Sequence, residues 1–115
     1  MNVNGKNIII TGGSLGIGKE TAKDLVKKGA NVLITGRSEH RLIEAKKYTC
    51  SKILEFDISD HNNICNNAKK CLDILDNRVD VLINNAGVGV RKSIVELSID
   101  DFLKVFNVNV FGLAL

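Results

Sequence analysis

Four short apolar runs along the chain have the pattern of buried strands. They occupy residues 7–10 (NIII), 31–35 (NVLIT), 52–56 (KILEF) and 79–84 (VDVLIN). None shows the regular polar alternation of a strand with one face in water. Runs rich in β-branched residues and leucine are typical of strands covered on both faces, as in a parallel sheet. The pattern therefore predicts four interior strands.

Between these runs, apolar residues recur at the 3.6-residue period of a helix. Residues 16–28 predict a first helix, whose apolar side carries Ile17, Ala22, Leu25 and Val26. Ser38 is placed to cap a second, shorter helix that carries Leu42 and Ala45. A third helix is predicted from Ser59 or Asp60, with a buried face of Ile64, Cys65, Ala68, Cys71, Leu72 and Leu75.

Two serine–acid pairs after the fourth strand match the capping-box spacing. They are Ser93 with Glu96, and Ser98 with Asp101; the second opens a fourth helix that carries Phe102, Val105, Phe106 and Asn109. The resulting order is βαβαβαβα, which predicts an α/β fold with a doubly wound parallel sheet and right-handed crossovers.

Length and composition indicate one soluble globular domain. The chain has 115 residues, of which 44% are apolar and 25% charged, and both fractions are ordinary. The net charge is +3, but the basic residues are dispersed and aromatics make up only 4%. This argues against a nucleic-acid partner, whereas a bound phosphate would suit the charge balance.

Other features of the sequence indicate the cellular location and argue against a metal centre. No apolar stretch reaches membrane-spanning length, and the N-terminus lacks a signal-peptide pattern, so we expect a cytoplasmic protein. Cys50, Cys65 and Cys71 have no C-x-x-C spacing, and His40 and His61 have no ligand-spaced partner. We therefore predict neither a disulfide framework nor a metal site.

The chain ends in the apolar stretch VNVFGLAL, residues 108–115. Phe111, Leu113 and Leu115 would need cover, and a fourth strand at the sheet edge would lie bare. We therefore expect residues 1–115 to form an incomplete domain, truncated before a fifth strand. The alternative is that the end folds back onto the sheet.

Glycines occupy the turn between the first strand and the first helix. In ITGGSLGIG, residues 10–18, Gly12, Gly16 and Gly18 are spaced G-x-x-x-G-x-G. Such glycines allow a tight turn, a close approach to a pyrophosphate and tight helix–strand packing, while the helix N-terminus attracts the phosphates. Placed between strand and helix, the pattern predicts a dinucleotide site. The alternative is a loop rich in glycine only because its turn is tight.

The end of the second strand indicates which dinucleotide binds. An acidic residue about twenty positions past the glycines would bind the ribose hydroxyls of NAD. Gly36 stands there instead, and Arg37 and Ser38 follow. A guanidinium can bind a 2′-phosphate bidentately, so we predict NADP in preference to NAD. The alternative is that Arg37 is a solvated turn residue.

Three motifs together resemble those of the short-chain dehydrogenase/reductase family. They are TGGSLGIG (residues 11–18), NNAG (84–87) and NVNVFG (107–112). They occur in the family's order and span the chain nearly end to end. The resemblance implies the cofactor-binding part of a Rossmann-type fold, with strand order 3-2-1-4. It also implies hydride transfer between NADP(H) and a carbonyl or alcohol substrate, and a homo-oligomeric complete form.

The resemblance also assigns site residues. The implied cofactor-binding residues are Thr11, Gly12, Ser14, Gly16, Ile17, Gly18, Arg37, Asp57, Ile58, Asn85, Ala86 and Gly87. Ile17 would offer its backbone to the pyrophosphate, and Asn84 would brace the turn after the fourth strand. Asp57 would accept a hydrogen bond from adenine, although a helix N-terminal charge beside Ser59 is an alternative role.

Asn109 is the one implied catalytic residue, because the family's asparagine helps to fix a catalytic lysine through a water. A mid-helix asparagine between Val108 and Val110 is a poor helix former and is costly to bury, which suggests a role beyond packing.

The family's catalytic Ser, Tyr and Lys follow the asparagine helix, and residues 110–115 contain none of them. Tyr48 and Lys52 have the Tyr-x-x-x-Lys spacing, but they lie between the second helix and the third strand, far from a hydride at the switch point. We therefore interpret this match as coincidental. Two hypotheses remain for the 115 residues, which we expect to be inactive alone. They are the cofactor-binding part of an NADP-dependent carbonyl reductase or alcohol dehydrogenase, or a nucleotide-binding or regulatory remnant without turnover.

Overall fold

Four parallel strands form a single sheet in the computed structural model, which describes residues 2–114. The strands are β1 (Asn7–Thr11), β2 (Asn31–Gly36), β3 (Lys52–Glu55) and β4 (Val81–Ile83). All three pairings are parallel, and the order is β3-β2-β1-β4. The strand positions and the 3-2-1-4 order predicted above are confirmed.

Helices connect the strands and continue past the last of them. They are α1 (Gly16–Lys27), α2 (Glu39–Thr49), α3 (Ile64–Ile74) and α4 (Ile99–Phe106), with 3-10 turns at His61–Asn63 and Ile94–Glu96. After α4 the chain continues as a π-helical segment, Asn107–Gly112. Both predicted capping boxes are present, at Ser93 and at Ser98.

The sheet is covered on both faces, which explains why its strands are continuously apolar. Ile8, Ile10, Val32 and Ile34 pack on one face with residues of α1 and α2, namely Ala22, Leu42 and Ala45. Residues at the alternate positions point to the other face. There Leu33, with Ile9 and Leu54, packs against Cys71 and Leu75 at the end of α3.

The buried side of α1 contains Gly18 and Ala22 but not Ile17, which the sequence predicts to lie on it. Ala22 is fully buried, and Leu25 and Val26 pack partly buried against the core. Ile17, which was predicted to share this side, is 80% exposed. The first turn of α1 lies at the carboxyl edge of the sheet, where the strands have ended and offer Ile17 no apolar partner.

The prediction for α3 is wrong in its start and in part of its face. A 3-10 turn precedes the helix, which begins at Ile64 instead of Ser59 or Asp60. The exposed residues of the predicted apolar face are Cys65, Ala68 and Leu72. The polar Asn67 is buried with Cys71 and Leu75. The buried stripe is therefore the i, i+4, i+8 row, narrower than the full apolar face of the helix.

Asn7 joins three segments at the amino edge of the sheet. Its Nδ2 donates to the carbonyls of Leu75 at 2.8 Å and Arg78 at 2.9 Å, while its Oδ1 accepts from Asn31 Nδ2 at 2.9 Å. The Asp80 carboxylate accepts from the Asn7 backbone N–H at 2.7 Å. This hydrogen bond, followed by the nearby Arg78 charge, holds the pKa of Asp80 below its ordinary value.

Much apolar surface lies on the second half of the described chain. The predicted bare edge is present, since β4 is an outer strand and Leu82 is 54% exposed. Phe111 and Leu113 are about half exposed, whereas Val108 and Gly112 are buried, so the alternative of folding back holds only in part. Leu115 lies outside the described residues. No helix within residues 2–114 has the length and apolarity needed to cross a membrane.

Candidate functional site

A cavity of about 440 Å³ opens at the carboxyl edge of the sheet. Its walls come from the segments that follow all four strands, as expected for a ligand site in an open α/β sheet. The predicted cofactor-binding residues that line it are Thr11, Gly12, Ser14, Arg37, Ile58, Asn85, Ala86 and Gly87. The fold therefore brings together residues from positions 11 to 87 around one space.

The loop after β1 packs directly against the loop after β4. Gly12 has φ +66°, and a Cβ placed on it would lie 2.8 Å from Ala86 Cα. A Cβ on Gly18 would lie 2.5 Å from Asn85 Nδ2 and 2.8 Å from the Gly12 carbonyl oxygen. Any larger residue at either position would force the two loops apart, so these glycines shape the site independently of any ligand.

Hydrogen bonds reinforce this packing. The buried Thr11 Oγ1 accepts from the backbone N–H groups of Asn85 and Ala86, each at 3.1 Å. The Asn85 side chain donates through Nδ2 to the Gly12 carbonyl at 3.0 Å. Asn84, the predicted brace, is exposed, and its side chain makes no hydrogen bond within residues 2–114. The bracing residue is Asn85, because its side chain points toward β1.

The N-terminus of α1 is open to an anion. Leu15 precedes the helix in an extended conformation and supplies no side-chain cap, and the first turn has no acidic residue. The first N–H groups of a helix lack intrahelical partners, and the positive end of its dipole lies there. Gly16, Ile17 and Gly18 belong to this turn and do not line the cavity, so their contact with a pyrophosphate stays a prediction.

The end of β2 carries positive charge and no carboxylate. Arg37 and Arg41 both line the cavity, and no Asp or Glu within residues 2–114 does so. Ser38 caps α2 by accepting from the Arg41 backbone N–H at 3.3 Å. Arg41 was not among the predicted site residues, although its place three residues past the cap, in the first helical turn, was a usable signal.

Part of the cavity wall consists of apolar side chains that were not predicted from the sequence. Phe56, Val88 and Val108 line the cavity from three different segments. Their signal was absent from the sequence, because each is one apolar residue among many and only the fold aims it at this space.

Asp57 occupies a different position from the other predicted contacts. Its Oδ1 accepts from the Ser59 backbone N–H at 2.9 Å and from Ser59 Oγ at 2.7 Å. It lines a second open cavity of about 560 Å³ beside α3 and not the first. Of the two roles considered for Asp57, the local one is supported by these hydrogen bonds to Ser59. Hydrogen bonding of Asp57 to adenine stays a prediction.

Asn109 connects the π-helical segment to the loop after β4. Its Oδ1 accepts from the Val88 backbone N–H, and its Nδ2 donates to the Val88 carbonyl, both at 2.8 Å. Gly87 lies against it, since a Cβ there would be 3.5 Å from Asn109 Oδ1. A π-helical turn frequently marks a functional position in a helix. The contact explains why a poor helix former occupies this position; the link to a catalytic lysine stays a prediction.

An ion pair holds the segment between β4 and α4. Lys92 Nζ lies 3.0 Å from Asp101 Oδ2, and the same oxygen accepts from the Ser98 backbone N–H at 3.0 Å. The Ser98 hydrogen bond, followed by Lys92, holds the pKa of Asp101 below its ordinary value. The start of α4 and the preceding loop are therefore fixed together.

Tyr48 and Lys52 do not form a pair. The Tyr48 hydroxyl donates to the Glu20 carboxylate at 2.8 Å, and its ring centroid lies 3.8 Å from Lys23 Nζ, on the outer side of α1 and α2. Lys52 Nζ donates to the Ile74 carbonyl at 3.3 Å. Neither residue lines the cavity, which agrees with the interpretation of their spacing as coincidental. No cluster of three or more potential metal ligands occurs in the described part of the chain.

Comparison with known proteins places this geometry in a family. The family model described as short chain dehydrogenase matches residues 6–115. The L-rhamnose 1-dehydrogenase (NADP(+)) of Thermoplasma acidophilum is 35% identical, over 96% of this chain and 45% of its own length. The chain spans less than half the length of the curated relatives it matches, from 36% to 47%.

Solved structures show the same fold. The 3-ketoacyl-(acyl-carrier-protein) reductase from Brucella melitensis, complexed with NADH, matches with a TM-score of 0.90 and 28% identity, over 97% of this chain and 47% of that one. A blue fluorescent protein from a metagenomic library, in complex with NADPH, matches with a TM-score of 0.85 and 28% identity, over 97% and 48%. Structures similar to this chain therefore include one complex with NADH and one with NADPH.

Proposed function

Because the chain belongs to the short-chain dehydrogenase family, we propose that it supplies the dinucleotide-binding half of an oxidoreductase. The proposed reaction is hydride transfer between NADP(H) and a carbonyl or alcohol substrate. The observation that carries the proposal is the charge of the cavity: its charged lining residues within residues 2–114 are Arg37 and Arg41.

Two features of the chain suit a dinucleotide. The uncapped N-terminus of α1 offers backbone N–H donors to the pyrophosphate. The close packing at Gly12 and Gly18 brings the loops after β1 and β4 together, so that Asn85, Ala86 and Gly87 border the same cavity. Bound there, the nicotinamide would supply or accept the hydride.

The 2′-phosphate is the group that favours NADP in this proposal. NAD-binding sites of this fold place a carboxylate at the end of β2 to bind the ribose hydroxyls, and a phosphate there would be repelled by it. Gly36 has no carboxylate with which to bind the ribose hydroxyls or repel a phosphate. The Arg37 guanidinium is exposed and can bind a phosphate bidentately.

Asn109 has a positioning role in the proposed reaction. Its two hydrogen bonds to Val88 fix the loop that follows Gly87. Proton transfer to a carbonyl oxygen needs an acid such as a tyrosine, and residues 110–115 contain no serine, tyrosine or lysine. We assign no catalytic part to Tyr48, which does not line the cavity.

Further parts of the proposal follow from the sequence. We propose a cytoplasmic protein and a homo-oligomeric complete form, with a small-molecule carbonyl or alcohol as substrate. The apolar surface of α4 and β4 supports an association, since residues such as Phe102 and Phe106 are about half exposed.

The proposal is tested by titrating the full-length protein with NADP⁺ and NAD⁺. We expect tighter binding of NADP⁺ in the unmodified protein and a reversed order in Arg37→Asp, because the new carboxylate suits ribose hydroxyls and repels the phosphate. Lys46→Asp, which changes charge equally at an exposed position outside the cavity, is the control. Equal binding of both dinucleotides before and after Arg37→Asp would contradict the proposal.

A further inference from the structure

The second cavity, of about 560 Å³, lies between the end of β3 and one face of α3. We call it the α3 cavity. Asn63, Asn66, Asn67 and Lys70 line it from the helix, and their i, i+3, i+4, i+7 spacing places them on a single helical face. Glu55 lines it from the last position of β3. Two packed elements of the fold therefore build this cavity.

Asn67 is the buried member of the lining and lacks a partner. It is 9% exposed, and its side chain makes no hydrogen bond within residues 2–114. In that part of the chain, no side-chain nitrogen or oxygen is both fully enclosed and unpaired, so the Asn67 amide still reaches open space. The α3 cavity is the space that Asn67 lines. Its amide therefore depends on the contents of the cavity for its hydrogen bonds.

The helical row that carries Asn67 changes its chemistry along its length. Asn67, Cys71 and Leu75 follow one another at intervals of four residues, and all three are buried. Cys71 and Leu75 pack with Leu33 in the core, whereas Asn67 lies at the cavity end of the row. An apolar residue at position 67 would pack without leaving a donor or acceptor unpaired. The amide thus suits a polar ligand better than it suits packing.

The groups around this amide suit a ligand that both donates and accepts hydrogen bonds. The carboxylates of Glu55 and Asp60 only accept, the ammonium groups of Lys69 and Lys70 only donate, and asparagine amides do both. A hydroxyl has one O–H donor and acceptor lone pairs, so a donor and an acceptor can bind it at the same time. Because charges of both signs line the cavity, neither a simple anion nor a simple cation matches it.

The size and the remaining wall of the α3 cavity also suit a small molecule. Its volume falls within the range of about 300–1,000 Å³ that is usual for small-molecule sites. Phe56 lines it as well, and an aromatic ring offers an apolar face to the C–H groups of a ligand. Phe56 is also the one residue within 2–114 that the two cavities share, so the α3 cavity is a separate site.

We propose that the α3 cavity binds a small polyhydroxylated molecule, a monosaccharide or a polyol, through hydrogen bonds from its hydroxyl groups to the Asn67 amide and the polar groups around it. The proposed hydride transfer takes place in the other cavity and does not require this site. The inference therefore goes beyond the proposed function and does not depend on it.

The test titrates the full-length protein with D-glucose, myo-inositol and glycerol, while NMR follows the side-chain amide signals of Asn67. We expect at least one of these probes to bind saturably in the millimolar range and to shift those signals. In Asn67→Ala the same probe should bind about twofold to tenfold more weakly, the range for the loss of one neutral hydrogen bond. Asn62→Ala is the matched control, because Asn62 is exposed in the preceding turn and does not line the cavity.

Asn67→Leu separates a ligand-binding role from a structural one. Leucine fills the buried position without an unpaired amide, so this variant should lose the probe and yet unfold at a higher denaturant concentration than the unmodified protein. A residue needed for packing or for a hydrogen bond within the fold would instead lower that midpoint. Circular dichroism reports whether each variant is folded.

Three results would overturn the inference. They are the absence of saturable binding of all three probes to the unmodified protein, unchanged binding in both Asn67 variants, and an equal loss of binding in Asn62→Ala. Binding of NADP⁺ is measured on the same samples and tests the proposed function separately, because the dinucleotide cavity does not contain Asn67.

Discussion

Thr11→Val tests whether the hydroxyl at the end of β1 holds the two halves of the site together. Thr11 is 6% exposed, and its Oγ1 accepts from the N–H groups of both Asn85 and Ala86. Valine has nearly the same shape but no acceptor, so the substitution leaves two backbone donors unpaired. A buried donor without a partner costs about 1–3 kcal/mol.

The expected loss of unfolding free energy for Thr11→Val is about 2 kcal/mol, worked from two unpaired donors at the low end of that range because both are only partly buried. Chemical denaturation of the full-length protein measures it. Hydrogen exchange provides a local readout, since the amides of Asn85 and Ala86 should exchange faster than in the unmodified protein.

Thr35→Val is a matched control. Thr35 is the register partner of Thr11 on β2 and is equally buried, but its hydroxyl makes no hydrogen bond within residues 2–114. The same chemical change there should cost about 1 kcal/mol or less. Thr11→Ser keeps the acceptor and should recover most of the loss. If both valine variants lose equal stability and Thr11→Ser recovers none, the hydroxyl does not join the loops and the reasoning is refuted.

Three further predictions concern residues around the site and at the opposite edge of the sheet. Asn109→Asp keeps the acceptor for the Val88 N–H but loses the donor to its carbonyl, so we expect about 1–3 kcal/mol less stability by denaturant titration; an unchanged midpoint would contradict this pairing. The lowered pKa of Asp80, due mainly to the Asn7 N–H, stabilises the protein above the ordinary Asp pKa of about 3.9, and this stability is lost as pH falls through the lower folded value. In Asp80→Asn, the free energy of unfolding should therefore fall less steeply with decreasing pH below about 3.9 than it does in the unmodified protein. Tyr48→Phe removes one exposed hydrogen bond and should leave nucleotide affinity unchanged, whereas a large loss of affinity in a folded variant would place the site elsewhere.

The strands were predictable because burial on both faces leaves a strong local signal. A run such as NVLIT is short and rich in β-branched residues, which favours a strand with neighbours on each side, and β2 is central in the sheet. The α3 prediction failed for the complementary reason. Its apolar periodicity was correct, but which residues of that face meet the sheet depends on how the helix lies on Leu33 and Leu54, and Cys65 remains exposed.

The residues of the candidate site also fall into two groups, those that the sequence could predict and those that it could not. Glycines with a required spacing and an arginine without a nearby acid can be recognised in the sequence, since each reflects a local requirement of the turn or the ligand. Phe56 and Val88 carry no such pattern. They line the cavity only because the ends of separate parallel strands meet at one edge of the sheet.

By itself, the sequence of this protein determined the βα alternation, the parallel sheet and the loop that suits a dinucleotide. These follow from local periodicity, from the conformational freedom of glycine and from the chemistry of single side chains. Only the tertiary structure decided which residues brace the site, namely Thr11 and Asn85 across the strand ends and Asn109 against Val88. Their hydrogen-bond partners lie 21 to 75 residues away in the chain. No local pattern encodes a partner at that separation, because the contact exists only once the sheet has assembled.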